Sequence, residues 1–359
     1  MSVNSAGATK NKAELQSSRI RVQDDLDAVC DLFHSKGYTD GLPIIPPTEA
    51  RVRRMLSGTT RNPALSLGKM PPLNNEVTIE KIAVNAVMAG CRPEYMPVLI
   101  TAVEIMLEPQ WALNSVQTTT NPLTPMIIVS GPVRDRIGVN CGAGAMGPGW
   151  QANSSIGRAT RLILLNIGGA TPGDVDKCTQ GFVGKFGMCV GENEEESAWE
   201  PYHVSRGFKA EDNVVTVVAI NASTNIHDSS DRWEDVIKTF TASLISPGTA
   251  NIIDPLATPF IAFNPLHSHI LNDAGFSRTK LQKHFFKHST LEAEGLSKRR
   301  EVLRRGEHGT RQYLVNGSIP LTNEPNRIHI IVTGSMSGGQ SCFLPNGGYG
   351  FAASKCIGN

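Results

Sequence analysis

The stretch Cys141-Gly-Ala-Gly-Ala-Met-Gly-Pro-Gly-Trp-Gln-Ala-Asn-Ser-Ser-Ile-Gly-Arg-Ala-Thr-Arg-Leu-Ile-Leu-Leu-Asn-Ile-Gly-Gly169 joins a glycine-rich loop to an amphipathic segment. Between Gly142 and Gly149, four glycines and one proline exclude a regular helix or strand, because glycine is costly to order and proline lacks a backbone donor. Such a loop lets the backbone approach a ligand closely, although it also serves as a tight turn before a core helix. Both interpretations stay open at this point.

The segment after this loop predicts a helix. Apolar residues recur at helical spacing from Ser154 onward, which favours a cap at Asn153 or Ser154 and an end at Gly168. The first turn of such a helix offers unpaired N–H groups and the positive end of its dipole, which suit an anionic group. We therefore expect four residues of the loop and helix to bind substrate: Gly147, Trp150, Asn153 and Arg158.

The composition excludes several classes of function. The chain has 359 residues, 40% of them hydrophobic and 19% charged, so it can bury one large core or two ordinary ones. A net charge of +1 provides no basic field for nucleic acid or acidic membranes, and no apolar run approaches the roughly 20 residues that cross a bilayer. The expected partner is a small-molecule substrate, and homo-oligomerisation is left open.

The cysteines and histidines indicate the compartment and the cofactor content. Seven cysteines without a CxxC pair, and no N-terminal apolar signal segment, favour a reducing, cytoplasmic location. The cysteines and nine histidines never occur at structural-zinc spacings, so we expect neither a metal nor another cofactor. If a metal were nevertheless bound, the first ligands to test would be His203, His227 and the group Glu192–Glu195.

Apolar runs and helical periodicities alternate along the chain. Strands are predicted at Met126–Val129, Val214–Ile220, Pro259–Phe263 and Ile328–Val332. This alternation predicts an α/β fold of mixed sheets with flanking helices, in two lobes, the C-terminal one with parallel β-α-β character. We divide the chain into a disordered tail (1–20), a main α/β domain with the glycine-rich loop (21–250) and a smaller C-terminal α/β lobe (251–359). No internal repeat is visible in the sequence.

A junction between two predicted helices, Gly90–Tyr95, places a thiol beside charged groups. An arginine and a helix N-terminus both stabilise a thiolate, so Cys91 next to Arg92 is a candidate nucleophile. In the same turn, Glu94 is a candidate acid or base and Arg92 is a candidate for binding substrate. The alternative is a buried cysteine that packs as a small hydrophobic residue.

Further catalytic candidates lie in and after a long irregular segment, Ala170–Arg206. Loops of this length inside a compact domain usually serve a site. Lys185 and Glu192 are candidates for proton transfer, and His227 follows the end of a predicted strand. The alternative for the acidic part of this segment is an ordinary solvated run.

Two more polar loops are candidates for substrate binding. Gln117 and Thr118 open a cluster of amides and hydroxyls just before a strand. A second glycine-serine loop, Thr333–Phe343, follows a strand and suits an anion. We expect it to face the first glycine-rich loop across one cleft and to contribute Ser337, Gly338, Gly339, Ser341 and Cys342.

Several segments together resemble a poorly characterised family that is described as UGSC-type (seleno)proteins, or loosely as thioredoxin-like. These segments are Thr39–Thr48, Ala83–Tyr95, Gly147–Asn153, Ile156–Ala159 and Glu192–Glu195. The resemblance covers most of residues 37–345 and implies a Gly-Ser-Cys redox motif. The nearest match here is Gly339-Gln-Ser-Cys342, with glycine where the reactive residue of that motif would stand.

These features predict an enzyme that acts on a small anionic or carbonyl-bearing metabolite. Acid–base or thiol-assisted addition–elimination, as in lyases and hydratases, fits side chains of this kind without a nucleotide. Two alternatives stay open: a thiol-based redox enzyme, as the resemblance implies, and a metabolite-binding protein without catalysis.

Overall fold

The computed structural model describes residues 14–254, 256–292 and 318–358. The helices are α1 Leu26–Ser35, α2 Glu49–Leu56, α3 Ile79–Met88, α4 Met96–Leu107, α5 Leu113–Thr118, α6 Val133–Ile137, α7 Gln151–Asn166, α8 Tyr202–Ser205, α9 Trp233–Ser243, α10 Ala250–Ile253, α11 Pro265–Asp273 and α12 Arg278–His288. The strands are β1 Ser66–Met70, β2 Asn75–Thr78, β3 Thr124–Ser130, β4 Met188–Gly191, β5 Val214–Ile220, β6 Thr224–His227, β7 Phe260–Phe263, β8 Thr290–Leu291, β9 Ile319–Pro320, β10 His329–Val332, β11 Gln340–Leu344 and β12 Ala353–Cys356.

Two four-stranded mixed sheets form the centre of the fold. The first has the order β4-β3-β5-β12, with β3 parallel to β4 and antiparallel to β5. The second has the order β10-β7-β11-β6, with β7 parallel to β10 and antiparallel to β11. In each sheet the fourth strand is antiparallel to the third. The fold is therefore mixed α/β with flanking helices, as the sequence predicts.

The two sheets repeat one topology and exchange their last strands. Each is built from a strand, a helical crossover, a parallel strand and an antiparallel strand. Strand β6 follows β5 along the chain but pairs with β11, and β12 follows β11 but pairs with β5. No sequence repeat accompanies this structural repeat. Because β6 pairs with β11 and β12 pairs with β5, each sheet contains strands from both sides of the domain boundary predicted near residue 250.

Helix α7 connects the glycine-rich loop to the first sheet. It begins at Gln151 with Trp150 as its cap, three residues before the predicted start, and Trp150 makes no side-chain capping bond. The predicted cap Asn153 is wrong, because this residue lies inside the helix with a buried side chain. At Gly157 the helix approaches the segment before β4 so closely that a Cβ would lie 2.7 Å from Met188 N. Only glycine fits this contact.

The N-terminal segment departs from the predicted tail of residues 1–20. Residues 1–13 lie outside the described part of the chain. Gln16 N and Ser17 N each donate a hydrogen bond of 2.8 Å to the carboxylate of Glu80, which is buried on α3. Two residues of the predicted tail, Gln16 and Ser17, are therefore hydrogen-bonded to α3.

The apolar core lies on both faces of the sheets. All residues of β3, β5, β7 and β10 are buried. Continuous apolar burial is typical of central strands covered on both faces, which explains why these four strands are visible in the sequence. No helix in the described ranges is long and apolar enough to span a membrane.

One buried histidine belongs to this core. The ring of His329 stacks on Phe260 with centroids 4.7 Å apart, and its Nδ1 lies 2.8 Å from the hydroxyl of Tyr202. Burial disfavours the imidazolium and lowers the pKa of His329 from 6.5 to about 3. The folded protein therefore holds this histidine neutral.

We expect His329 to make the protein sensitive to acid. Below about pH 6.5 the unfolded chain binds a proton that the folded chain does not bind until about pH 3. The free energy of unfolding should therefore fall with pH across this window, by up to about 1.4 kcal/mol per pH unit from this group. Urea denaturation between pH 7 and 4 should show a shallower dependence in His329→Asn, which keeps an acceptor for Tyr202.

The exposed histidine His227 provides the control for this measurement. The variant His227→Asn shows how far any histidine replacement alters the pH dependence. Equal slopes in the parent protein and in His329→Asn would mean that His329 is protonated to the same extent in the folded and unfolded chain.

Candidate functional site

The carboxyl ends of the parallel strands from both sheets meet at one place. Asn193 N, just after β4, donates a 2.8 Å hydrogen bond to Val332 O at the end of β10. Thr333 Oγ1 donates to Gly191 O at 3.1 Å. Glu192 and Thr333 hold equivalent positions, since each follows its strand and donates its N–H to the neighbouring strand. Ligand sites of α/β sheets favour such ends.

A group of charged and polar side chains is buried here. We call it the junction site and define it by six residues: Arg134, Cys141, Glu192, Glu194, His203 and Arg278. They come from α6, the start of the glycine-rich loop, the loop after β4, α8 and α12. Among them Glu192 and His203 are fully buried, and Arg134 and Arg278 are nearly so.

Glu192 is the acidic centre of the junction site. Its two carboxylate oxygens lie 2.9 and 2.8 Å from Tyr202 N at the start of α8, and Ser130 Oγ lies 3.4 Å away. The guanidinium of Arg278 stays at 3.6 Å, which is a loose ion pair. Burial disfavours the carboxylate and raises the pKa of Glu192 to about 8, although Arg278 and the Tyr202 N–H favour ionisation.

The side chain of Arg134 binds several groups of the loop after β4. Its guanidinium donates to Glu195 at 2.6 and 3.1 Å and to Glu192 O at 2.6 Å, and it lies 3.2 Å from Glu194 Oε1. Gly131 N donates to the same oxygen of Glu194 at 2.6 Å. Burial alone would lower the pKa of Arg134, but hydrogen bonding to Glu195 and the charge of Glu194 hold it above its usual value. The arginine is therefore a permanent cation.

Several buried polar atoms of the junction site lack partners within the described residues. His203 Nδ1 makes no hydrogen bond and lies 3.7 Å from Glu194 Oε1. The terminal nitrogens Nη1 and Nη2 of Arg278 also make none, although its Nε donates to Ile330 O at 3.0 Å. Buried polar groups are nearly always paired, and an unpaired one destabilises a fold by about 1–3 kcal/mol. Buried polar atoms without a protein partner commonly bind an ordered water, an ion or a ligand.

Both glycine-rich loops start at the junction site. Gly334 N donates to Cys141 O at 2.8 Å, and Thr333 Oγ1 donates to the same oxygen at 3.1 Å. The thiol of Cys141 lies 3.5 Å from Arg134 Nη1. Burial raises the pKa of Cys141, and the nearby arginine opposes this only in part. The structure thus brings the first residues of the two loops into contact.

The structure contradicts an activated thiol at Cys91. This cysteine is buried, and its Sγ lies 3.2 Å from Ser155 O. Burial raises the pKa of the thiol to about 12, and the opposing charge comes from Arg158, not from the adjacent Arg92. Arg92 and Glu94 are exposed beside it. The junction Gly90–Tyr95 therefore matches the alternative of a packed hydrophobic cysteine.

Residues predicted to bind an anion on the first loop have other partners. Arg158 forms a two-pronged ion pair with Asp40 at 2.8 and 2.9 Å, so it is not free for an anion. Asn153 holds the loop together through bonds to Asn140 and Ala145 O, which is a positioning role. Trp150 is exposed, and Gly147 N bonds to Gly144 O inside the loop.

Gln117 and Lys185 line a separate crevice between α5, α7 and β3. The crevice holds about 10 Å³, room for about one water molecule, so it does not admit a metabolite. Lys185 Nζ lies 2.7 Å from buried Asp176, and Gln117 Nε2 donates to Pro71 O. Thr118 Oγ1 donates to Asn114 O. Lys185 and Glu192, both predicted as candidates for proton transfer, therefore lie in different parts of the structure.

The second loop splits into an exposed tip and a buried strand. Ser337 and Gly338 are exposed, while Gly339 packs on the backbone of Asp228. Ser341 lies in β11, where its Oγ is 2.8 Å from His267 Nδ1. Burial raises the pKa of Cys342 to about 11, which disfavours a thiolate. His227, at the end of β6, is exposed and bonds Ser229.

Comparisons with protein-family models, with curated proteins and with solved structures find no match for this chain. The inference that the junction site is functional therefore depends on the geometry of this chain alone. Of its six residues, only Glu192 was among the predicted catalytic residues, and His203 and Glu194 were named only as conditional metal ligands.

Proposed function

We propose that the protein is an enzyme of lyase or hydratase type that acts on a small anionic or carbonyl-bearing metabolite at the junction site. One observation supports this most: Glu192, at the carboxyl end of β4, and His203, on α8, are both fully buried, and His203 Nδ1 has no hydrogen-bond partner in the described ranges. A carboxyl group and an imidazole in one enclosed place are suited to acid–base catalysis.

The chemistry follows from the groups present. In an elimination, a base takes the proton next to the carbonyl carbon, the C–H electron pair forms the double bond, and an acid protonates the departing oxygen. The terminal guanidinium nitrogens of Arg278, which make no hydrogen bond to the described residues, are suited to hold the negative charge that develops on the carbonyl oxygen. Glu195, which pairs with Arg134, has a side chain that is 59% exposed, so the charged cluster reaches the protein surface there.

The thiol-based alternative has less support. Burial raises the pKa values of Cys91, Cys141 and Cys342, and no disulfide links the cysteines of the described residues. The proposal also includes three expectations from the sequence: membership of the UGSC-type family, a cytoplasmic location and a small-molecule substrate.

The proposal is tested by proton exchange in D2O. Full-length protein is mixed with a panel of small hydroxy- and oxo-carboxylates, and NMR follows deuterium incorporation next to the carbonyl group. We expect exchange with some members of the panel, reduced by about 10²-fold or more in Glu192→Gln and His203→Gln. The control Glu94→Gln, at an exposed carboxylate, should retain the parent rate.

Two outcomes would contradict the proposal. Undiminished exchange in Glu192→Gln and His203→Gln would move catalysis away from the junction site. Binding of a panel member by calorimetry, without exchange or turnover in the parent protein, would identify a metabolite-binding protein.

A further inference from the structure

The junction site contains three side chains that can act together as metal ligands. One donor atom from each of Glu192, Glu194 and His203 lies within 4.8 Å of the other two. Within the described ranges, no other group of three histidine, cysteine or carboxylate side chains comes as close. The sequence predicts no metal because these residues are spaced unlike a structural zinc motif, yet the fold brings them together.

The surroundings of His203 match those of a metal ligand. Its Nε2 lies 3.4 Å from Ala210 O, which favours the tautomer with the proton on Nε2. The lone pair of Nδ1 then points into the cluster without a hydrogen-bond donor. Metal-bound histidines usually donate their second ring N–H to a carbonyl or carboxylate in this way. The unpaired, fully buried Nδ1 is an observation independent of the two carboxylates.

Neighbouring groups restrain the carboxylates of Glu192 and Glu194. Tyr202 N donates to Glu192, Gly131 N donates to Glu194 Oε1, and the Arg134 guanidinium lies 3.2 Å from that same oxygen, which restrains both carboxylates without using all of their lone pairs. Hydrogen-bonded carboxylates are the rule in metal sites. A metal ligand must be deprotonated, and once Glu192 is ionised the three carboxylates, including that of Glu195, and the two guanidinium groups carry one net negative charge.

We propose that Glu192, Glu194 and His203 bind a divalent first-row transition metal ion such as zinc or manganese. One imidazole and two carboxylates favour such ions over calcium or magnesium, which prefer all-oxygen sites. Three protein ligands leave a position for water or substrate, as in catalytic sites. With Glu192 and His203 as its ligands, a bound ion would take over the acid–base role that these two side chains would have without it, by polarising a carbonyl oxygen or acidifying a bound water. This inference therefore rests on the proposed function for its role but not for its test.

The test measures metal binding alone. Full-length protein is stripped with EDTA, dialysed against Zn²⁺, Mn²⁺ or Co²⁺ in turn, and analysed by elemental analysis and by the visible spectrum of the Co²⁺ form. We expect one tightly bound ion per chain. His203→Ala should weaken its binding by more than about 100-fold, because loss of an outer partner alone changes affinity by about 10–100-fold. Glu194→Gln preserves the side-chain volume and should have a similar effect if His203→Ala fails to fold.

Two control variants separate this site from incidental binding. His269→Ala removes a histidine that lies 3.2 Å from Glu196 O, beside the same acidic segment, and should retain the ion. His284→Ala breaks a histidine pair on α12 with ring centroids 4.6 Å apart, and should also retain it. Loss of the ion in His284→Ala with retention in His203→Ala would overturn the proposal, as would the absence of any bound ion.

The outcomes for metal binding and for catalysis are distinct. If no ion binds but Glu192→Gln still abolishes proton exchange, the metal site is wrong and the acid–base enzyme stands. If an ion binds through His203 but no panel compound exchanges, the metal site stands and the lyase or hydratase assignment falls.

Discussion

Replacing Arg134 with methionine should destabilise the protein by about 3–5 kcal/mol, because it leaves the largely buried carboxylate of Glu194 without its cation and the buried carbonyl of Glu192 without its donor. The arginine is 2% exposed and contacts Glu194, Glu195 and the main chain of Glu192 at once. Methionine fills a similar volume, so most of the loss should come from the missing charge and hydrogen bonds. Urea denaturation followed by tryptophan fluorescence measures the change in the free energy of unfolding.

Two further variants make this result interpretable. Arg134→Lys keeps the charge but lacks the planar fork that reaches several acceptors, so we expect it to restore only part of the stability. Arg232→Met removes an arginine that is 68% exposed and lies 3.8 Å from Glu234, and should change stability by less than about 1 kcal/mol. An Arg134→Met variant as stable as Arg232→Met would show that the cluster is solvated and relaxed, contrary to its burial.

The class of fold was predictable because burial leaves a clear pattern in central strands. Strands β3, β5, β7 and β10 are runs of apolar residues, and the structure confirms each to within two residues at either end. Strand β4 was missed, since Met188–Gly191 is only four residues long and lies in a polar segment. Strand β12 was missed because half of its residues are exposed and its sequence is polar.

The exchange of strands between the sheets could not be predicted. Pairing between β5 and β12 joins residues more than 130 positions apart, such as Thr216 and Ser354. The apolar pattern of a strand shows that it is buried but not which strand lies beside it. The topological repeat is also invisible in the sequence, because the same arrangement is built from different residues in each half.

The errors at the candidate site have a common physical origin. The sequence predicts a reactive Cys91 because Arg92 is its neighbour, yet its thiol is buried in the core, where burial outweighs nearby charge. Arg158 was selected as a free cation, but its partner Asp40 lies 118 positions away. Sequence proximity determines neither burial nor long-range pairing, and these two quantities decide whether a charged group is available.

One part of the site prediction came from segment length. The long polar stretch Ala170–Arg206 indicated a functional loop, and it does supply Glu192, Glu194 and His203. Arg134 gave no such signal, because the sequence around α6 has the alternating charges of an exposed helix. A buried arginine in such a helix is recognisable only when its carboxylate partners are known.

The second large effect is expected at Gly131, which follows β3 and donates its N–H to Glu194. Its φ is +84°, a left-handed conformation that costs a residue with a side chain about 1–2 kcal/mol. A Cβ at this position would also overlap the carbonyl oxygen of Asp212. Because forced overlap adds about 1–3 kcal/mol, Gly131→Ala should lower the free energy of unfolding by about 3 kcal/mol or more.

Gly138 supplies the matched control for this change. It also has a left-handed φ, +68°, but a Cβ there would meet no atom within 4 Å. Gly138→Ala should therefore show the conformational cost alone, about 1–2 kcal/mol, and the difference between the two variants measures the overlap with Asp212. Since Gly131 N holds Glu194, we also expect Gly131→Ala to weaken metal binding while Gly138→Ala does not. Equal losses of stability in the two variants would mean that the backbone near Asp212 moves aside freely, and that Glu194 is not fixed by this contact.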